Sequence, residues 1–577
     1  MDFLKQLKNI PWFKPSWLHL NVTEETKEFL SKCADLPVAR LEEDLEEIIK
    51  KSKAFPIKFP IDTVRLQQLK LRRPIERLKR NVVSTYPIIH ERVLILMIRF
   101  LIYKKEFGSN IEKDLYKDMT VPEFIERILT KRAISFYGMR DKYLLFSGEK
   151  GMSGWELIGS SEQKSPLLLE NCLSYDELKI SALVYVSGYT DCINDGTRKN
   201  SGVVKEDNIE QNAVMIGMKI ITASRSIDEL QFSTLVYVSG YTDCINDSTR
   251  KNSGVVKEDN IEQNAVMIGL IGPRLKRRSK MDYQEILVTK EQNIEDHGYG
   301  DAANKPHQLP KQAWRKMWCD FYEIDNVTYD MVTSILKYQN RNETRPYIQR
   351  YHHKKSSKLI FDNEVYYKRI SVLAESTLLE AEYRALESGK LAFVNIVGCG
   401  LGVWMVQPHQ VDVYVLTFLE RIHTLLHNDF LNHVSDVNFS YIKASPEVEG
   451  IFTKDTAQKE PELIKLFLEY KGHVKGGLNV QMQKREPSAK LTGKHEGKLL
   501  VLTYPWDSNA HPGNEFWCGL LASTGDSAAA SSTQITELHN AYINPAVSAN
   551  NVRVVGRHGL KTLSEYCLAL IAFNWKR

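Results

Sequence analysis

Eight cysteines are scattered over 577 residues, and no two of them stand as a CxxC pair. That spacing excludes a zinc ribbon, a thioredoxin-like redox pair and a disulfide-stapled small fold, and reduced thiols are expected. An excess of either charge is missing as well. The 77 basic residues face 72 acidic ones, so no global field selects a nucleic-acid partner, and none is expected. Long apolar runs are absent. The longest, Val93 to Tyr103, is interrupted by Arg99 and falls short of the roughly 20 residues that span a bilayer. The first residues, MDFLKQLKNIPWFKPSW, contain Asp2 and no unbroken apolar stretch. Neither a secretory signal nor a membrane partner is therefore expected, and the cytoplasm is the expected location, with the nucleus left open. There is no GxSxG serine elbow and no Walker phosphate loop, and His423 with His427, four apart, lack the carboxylate of an HExxH zinc site. No metal and no cofactor are expected.

What is present begins with helices. From Thr23 to about Arg132 the apolar residues recur at helical spacing, as in LEEDLEEIIKKSK, where Leu41, Leu45, Ile48 and Ile49 share a face. The acids come early and the lysines late, as the helix dipole prefers. The basic run KLRRPIERLKR, Lys70 to Arg80, reads as a solvated helix face. After Ser135 the texture changes to short apolar runs closed by turns, among them LVYVSGYTDCI, FVNIV and KLLVLTYPW, with helical stretches between. Such runs suit strands buried on both faces of a mostly parallel sheet, whose ligands sit at loops beyond the strand ends. The expected division is a helical region over 1–132, an α/β domain over 133–550 and a tail over 551–577 apolar enough to dock as a helix.

Inside the α/β part a segment is duplicated. Leu183 to Gly217 returns as Leu235 to Gly269, 52 positions later, with Gly196 replaced by Ser248 as the one difference. A weaker echo before it pairs SYDELKIS with SIDELQFS and extends the units to 174–217 and 226–269. Two copies are too few for a solenoid. The second copy continues directly into LIGPRLKRRSKMDYQ, so it is the copy expected in the sheet.

Three loops carry chemistry. The first follows LVYVSGYTDCI and holds Asn194, Asp195, Gly196, Arg198, Asn200 and Gly202, repeated as Asn246, Asp247, Ser248 and Asn252. Asparagine side chains there can bond ribose hydroxyls, and Asp195 can polarise water; an ordinary Asx-stabilised turn is the alternative. The second is VGCGLGVW, where Gly398, Gly400 and Gly402 alternate after a strand and before a helix, so that backbone N–H groups can cradle a diphosphate. Its spacing is not GxGxxG, and a tight turn without a ligand would use the same glycines. The third is WDSNAHPGNEFW, with Asp507, Asn509, His511, Asn514 and Glu515 between aromatic residues that can stack a base or sugar and shift a carboxyl pKa; a surface turn beside core aromatics is the alternative. Asp526 follows, placed to cap a helix of small residues. The cluster RLKRRSKMD, Arg274 to Asp282, is basic without interleaved aromatics.

In this order on an α/β frame the three loops resemble the macrodomain plan for holding ADP-ribose. More closely, the chain is similar to the MavL-like family of insect proteins and bacterial effectors with ADP-ribosyl hydrolase activity. The resemblance covers about Ile134 to Val547 and is carried by GWELIG, LSYDEL, NDGTRKNSG, VMIGLIGPRL, MDYQ, HGYG, EAEYRA, VGCGLGVW, VNFSYI, WDSNAHPGNEFW, GDSAAASS and INP. It implies a macrodomain-like three-layer α/β/α fold with a mixed, mostly parallel sheet, preceded by the helical region. It further implies that Gly398, Gly400, Leu401, Gly402, Val403 and Trp404 hold the pyrophosphate, and that Asn194 and Asn200, or Asn246 and Asn252, meet the distal ribose. Asn509, Pro512, Gly513 and Asn514 would line the same cleft. Candidates for directing water and stabilising an oxocarbenium-like state are Asp195 or Asp247, Asp507 and Glu515. The implied partner is ADP-ribose or an ADP-ribosylated protein, with arginine as the implied acceptor; a non-catalytic ADP-ribose reader and a protein-interaction scaffold are the alternatives. The chain departs from the family pattern at Cys399, His511 and Ser527.

Overall fold

The computed structural model describes residues 7, 10–14, 20, 22–36, 41, 44–60, 66–137, 141–194, 212–221, 234–243, 260–301, 306–339, 343–353, 358–454, 463–506, 509–518 and 525–574, with 212–221 and 234–243 as backbone. The unbroken apolar runs become strands buried on both faces. In chain order the strands of the two sheets that matter are β1 (Tyr86–His90), β2 (Tyr185–Asp191), β3 (Asn212–Ile221), β4 (Thr234–Asp243), β5 (Asn264–Leu270), β6 (Ala392–Ile396), β7 (Val434–Phe439), β8 (Thr453–Lys454), β9 (Ile464–Glu469), β10 (Gly477–Met482), β11 (Leu499–Pro505), β12 (Arg553–Gly556) and β13 (Gly559–Thr562). Eleven of them form one sheet in the order β8-β9-β10-β7-β6-β11-β5-β2-β1-β12-β13. The block β10-β7-β6-β11-β5 is parallel throughout. Antiparallel pairings flank it on both sides, so the sheet is mixed in equal measure rather than mostly parallel.

Helices cover both faces. The Ser187 hydroxyl bonds Glu380 at 2.7 Å, in the long helix Asn363–Ser388, whereas the Thr190 hydroxyl accepts from the Gln534 backbone N–H at 3.0 Å on the opposite side. Odd and even residues of one strand thus meet different layers, as the period of two requires.

The N-terminal region is helical, with Glu24–Ala34, Leu45–Ala54, Ile75–Val83 and Glu91–Phe107 among its helices. Yet YPIIH inside it is strand β1, seated between β2 and β12. The C-terminal residues supply β12 and β13, and helix Leu563–Asn574 docks on Glu24–Ala34. The sheet therefore crosses both boundaries drawn from composition. The basic run is a solvated face only in part, with Arg72 and Arg80 exposed and Arg73 and Arg77 half-buried. Arg77 and Arg73 reach the buried Asp191 carboxylate at 2.8 and 3.5 Å, and Arg80 bonds Asn264 while stacking 4.4 Å from the Tyr189 ring. These arginines clamp the end of the β2/β5 pair.

The duplicated segment is divided between two places. Strand β2 comes from the first copy and β5 from the second, and they pair in the main sheet with Asp191 opposite Asn264 and Val186 opposite Gly269. Strands β3 and β4 form a separate two-stranded sheet, with Asp243 opposite Asn212 and Val238 opposite Gly217. A shift of 52 maps one ladder onto the other residue for residue. The two ladders are what a strand exchange between two copies produces, carried out here within one chain.

The expectation that the second copy fills the sheet thus holds for its downstream strand and fails for the upstream one, and the flanking residues say why. Helix Tyr175–Ser181, which feeds β2, has a complete capping box of Ser174 and Glu177. Its Lys179 pairs with buried Glu285, which Arg315 also holds, and its Tyr175 hydroxyl donates to Asp141. At the corresponding positions the second copy offers Gln231, which brings no charge to Glu285, and Ile227, which has no hydroxyl for Asp141. Downstream, a Cβ on Gly272 would lie 2.3 Å from the Gly400 nitrogen. The first copy would put Ile220 there, and no side chain fits.

Candidate functional site

Strands β5, β11 and β6 end on one edge of the sheet, with Leu270 opposite Pro505 and Leu502 opposite Asn395. The loops that leave this edge touch at the backbone. Gly272 lies against Cys399 and Gly400, and Gly400 itself takes φ +81°, a conformation that glycine adopts without a Cβ penalty. Val397 is tied down at the start of the second loop, its N–H donating to the Thr503 hydroxyl at 3.0 Å and its carbonyl accepting from the Tyr414 hydroxyl at 3.0 Å. At the far end the Gln410 side chain accepts the Val406 and Gln407 N–H groups, both at 2.8 Å. Between these anchors the Leu401 N–H bonds Gly398 and the Met405 N–H bonds Gly402, both at 3.1 Å. The N–H groups of Gly400, Gly402 and Val403 have no protein acceptor among the described residues. Gly402 and Val403 are exposed, whereas Trp404 turns inward and is buried. A loop of this form can receive an anion.

The third loop starts beside them, with the Trp506 N–H donating to the Leu270 carbonyl at 2.8 Å. Trp506 is buried under the Arg132 guanidinium, 4.3 Å from its ring centre, and its Nε1 donates to Ala510 at 2.8 Å. The residues beyond are drawn into the protein. Asn509, at φ +54°, donates from Nδ2 to the Leu178 carbonyl, and the His511 N–H donates to Ala133 at 3.1 Å. Burial pulls His511 down to about 3, so this imidazole is neutral. Pro512, Gly513 and Asn514 are buried, Glu515 is half-buried, and Trp517 packs 4.5 Å from Phe55 and 4.7 Å from Phe59. Asp526 lies inside the first turn of helix Gly525–Ser532 rather than at its cap, and its carboxylate accepts the Gly513 N–H at 3.1 Å.

Asn194 is elsewhere. Because β2 is antiparallel to β5, the NDG loop leaves the sheet where β5, β11 and β6 begin. There the Ile193 N–H donates to the Ser532 carbonyl at 2.7 Å, and Asn194 is buried. A strand of this length puts that point about 20 Å from the glycine loop. Asp195, Asn200, Asn246, Asp247, Asn252 and Asp507 lie outside the described residues.

One residue beside the glycine loop was not singled out from the sequence. Arg274, in the sequence only the first residue of the basic cluster RLKRRSKMD, is wholly buried, with its guanidinium 4.7 Å from the Trp404 ring centre and 5.2 Å from that of Phe136. The readable signal was its position, two residues past a glycine that closes a buried strand.

Comparison with known proteins adds the lineage. The family model described as ADP-ribosylhydrolase MavL-like matches residues 46–225 and again 219–569, each range containing one whole copy of the repeat. The chain is 35% identical over 532 residues to a Drosophila melanogaster protein named ADP-ribosylarginine hydrolase CG2909, covering 92% of this chain and 90% of that one. A second protein of that organism, ADP-ribosylarginine hydrolase CG3568, is 34% identical over 555 residues, covering 95% and 92%. With the two matched ranges together covering most of the sheet, the second holding the converging loops, and with two relatives alike over nearly the whole chain, the chain belongs to the MavL-like ADP-ribosylhydrolase family.

Proposed function

We propose that this protein binds ADP-ribose on a macrodomain-like frame and hydrolyses the bond between its distal ribose and an arginine of a modified protein. The observation that carries the reading is the edge where β5, β6 and β11 end: three loops meet there, and the glycine loop exposes Gly402 and Val403, whose N–H groups have no acceptor among the described residues. A diphosphate is the group of ADP-ribose that suits such a loop. The arginine linkage is supported by the printed names of the two relatives, which run nearly the length of this chain.

In the proposed reaction the bond from the ribose C1 to the guanidine nitrogen breaks through an oxocarbenium-like state, and water adds at C1. The candidates for directing that water and stabilising the charge are Asp195 or Asp247, Asp507 and Glu515.

The test is release of ADP-ribose from arginine-ADP-ribosylated protein, comparing the parent with Asp507→Ala, Asp195→Asn and Asp247→Asn. Release by the parent, reduced at least about 100-fold in one or more variants, is expected. ADP-ribose binding with no release would leave a reader of the modification, and no binding by a folded protein would refute the reading.

A further inference from the structure

Arg274 carries a charge for which the described residues provide no counter-ion. Its side chain is wholly buried, and neither Nε nor either Nη has a hydrogen-bond partner among the described residues. The carboxylates nearby are engaged with others. Asp282 takes the backbone N–H of Arg274 at 2.9 Å and the Arg369 Nε at 2.9 Å, while Asp141 takes Arg277 at 2.9 Å and the Tyr175 hydroxyl. Arg274 instead lies between the rings of Trp404 and Phe136, and the Trp404 Nε1 is itself buried without a partner. Stacking on two rings returns only part of the hydration that a guanidinium with five N–H donors loses on burial.

Its location says what would complete it. Trp404 closes the glycine loop and stacks on the guanidinium, while Gly402 and Val403, just before it, are exposed and their N–H groups have no acceptor among the described residues. A Cβ built on Gly402 would meet nothing within 4 Å, and Val403 is 65% exposed, so the outer side has room. Gly272 and Gly400, in backbone contact, fix the Arg274 loop to the glycine loop, so the cation and the N–H groups keep their relation.

We infer that Arg274 is the cationic anchor for a diphosphate held on the exposed Gly402 and Val403 N–H groups, reached when the Trp404 indole swings out from over the guanidinium. The planar fork of an arginine and a row of backbone N–H groups are complementary to the oxygens of one phosphoryl group. Burial also lowers the proton affinity of the unliganded guanidinium, and an arriving dianion reverses this. The naming of the ligand as ADP-ribose rests on the proposed function; the anionic character of the site does not.

The experiment uses the full chain, its Arg274→Met and Trp404→Phe variants, and calorimetry with ADP-ribose, ADP, inorganic pyrophosphate and adenosine, together with thermal melts of the unliganded proteins. Arg274→Met is expected to weaken ADP-ribose, ADP and pyrophosphate roughly 30- to 100-fold and to leave adenosine unchanged. The unliganded variant is expected to melt no lower than the parent, because an unpaired buried charge has gone. A variant that melts several degrees lower and binds as the parent does would make Arg274 a structural cation bridged by water, and would overturn the inference. Should Arg274→Met not fold, fluorescence decides: pyrophosphate must change the tryptophan emission of the parent and not that of Trp404→Phe, and an equal change in both refutes the gate. A parent that binds pyrophosphate through Arg274 but not ADP-ribose removes the proposed function alone, whereas a parent and Arg274→Met that bind ADP-ribose equally remove the anchor alone.

Discussion

Two deletions of equal length test the strand exchange directly. Removing 192–243 joins Asp191 to Cys244, and removing 212–263 joins Gln211 to Asn264. Either way 52 residues go, β2 and β5 stay, and one copy of the loop connects them. The resulting chains are identical except at one position, serine in the first and glycine in the second. In the parent, 72 residues separate Asp191 from Asn264; in each deletion 20 remain. The closure entropy of that connection scales as (3/2)RT ln n, so the shortening stabilises the pair by about 1 kcal/mol, an upper value because β3 and β4 already order part of the excursion. Both deletion chains are therefore expected to fold, with urea midpoints at or slightly above the parent's. Insolubility of both, or a loss of more than about 2 kcal/mol, would mean that the excursion packs on the sheet and that the exchange reasoning is wrong. Comparing the two chains with each other isolates Gly196 from Ser248. A left-handed residue here would cost serine about 1 kcal/mol more than glycine and make ADP-ribose binding about fivefold tighter in the glycine chain; equal binding would exclude that conformation.

Other perturbations follow from the same contacts. Gly272→Ala places a Cβ 2.3 Å from the Gly400 nitrogen and must displace the glycine loop, so a loss of about 1 to 3 kcal/mol in stability and at least tenfold weaker ADP-ribose binding by calorimetry are expected. Lys179→Gln makes the first helix resemble the second copy; Glu285 keeps Arg315 but loses one buried cation, and an unfolding free energy lowered by about 2 kcal/mol in urea denaturation is expected. His409, His511 and His539 are each held neutral by burial, which lowers them to about 3 from 6.5. The unfolded chain binds these protons first, so their contribution is complete above pH 6.5 and is lost as pH falls toward 3, by about 1.4 kcal/mol per pH unit for each histidine. Denaturation at pH 7 and pH 5.5 should show a loss on the order of 4 kcal/mol, and equal stability would refute the assignment of these imidazoles as neutral.

The strands of the parallel block were legible because burial on both faces leaves an unbroken apolar run, as in AFVNI and LLVLTYP. The glycine loop was legible as a tight strand-to-helix turn, because alternate glycines after such a run give the backbone the freedom that Gly400 uses at φ +81°. The direction of β2 was not. LVYVSGYTD reads as a buried strand either way round, and its orientation is set by β1, a five-residue piece of a region that otherwise has helical periodicity and lies about 100 residues earlier. The same long-range pairing hid the role of the basic run: Arg73 and Arg77 follow helical spacing, and nothing local reveals that Asp191 will be buried against them. The repeat sharpens the point. Two segments of identical sequence make identical ladders, so the repeat itself cannot decide which strand enters the main sheet. Residues that are not repeated decide it: Tyr175 and Lys179 with their partners upstream, and the missing Cβ of Gly272 downstream. In this chain local sequence specifies the hairpin, and the residues on either side specify which halves are built into the sheet.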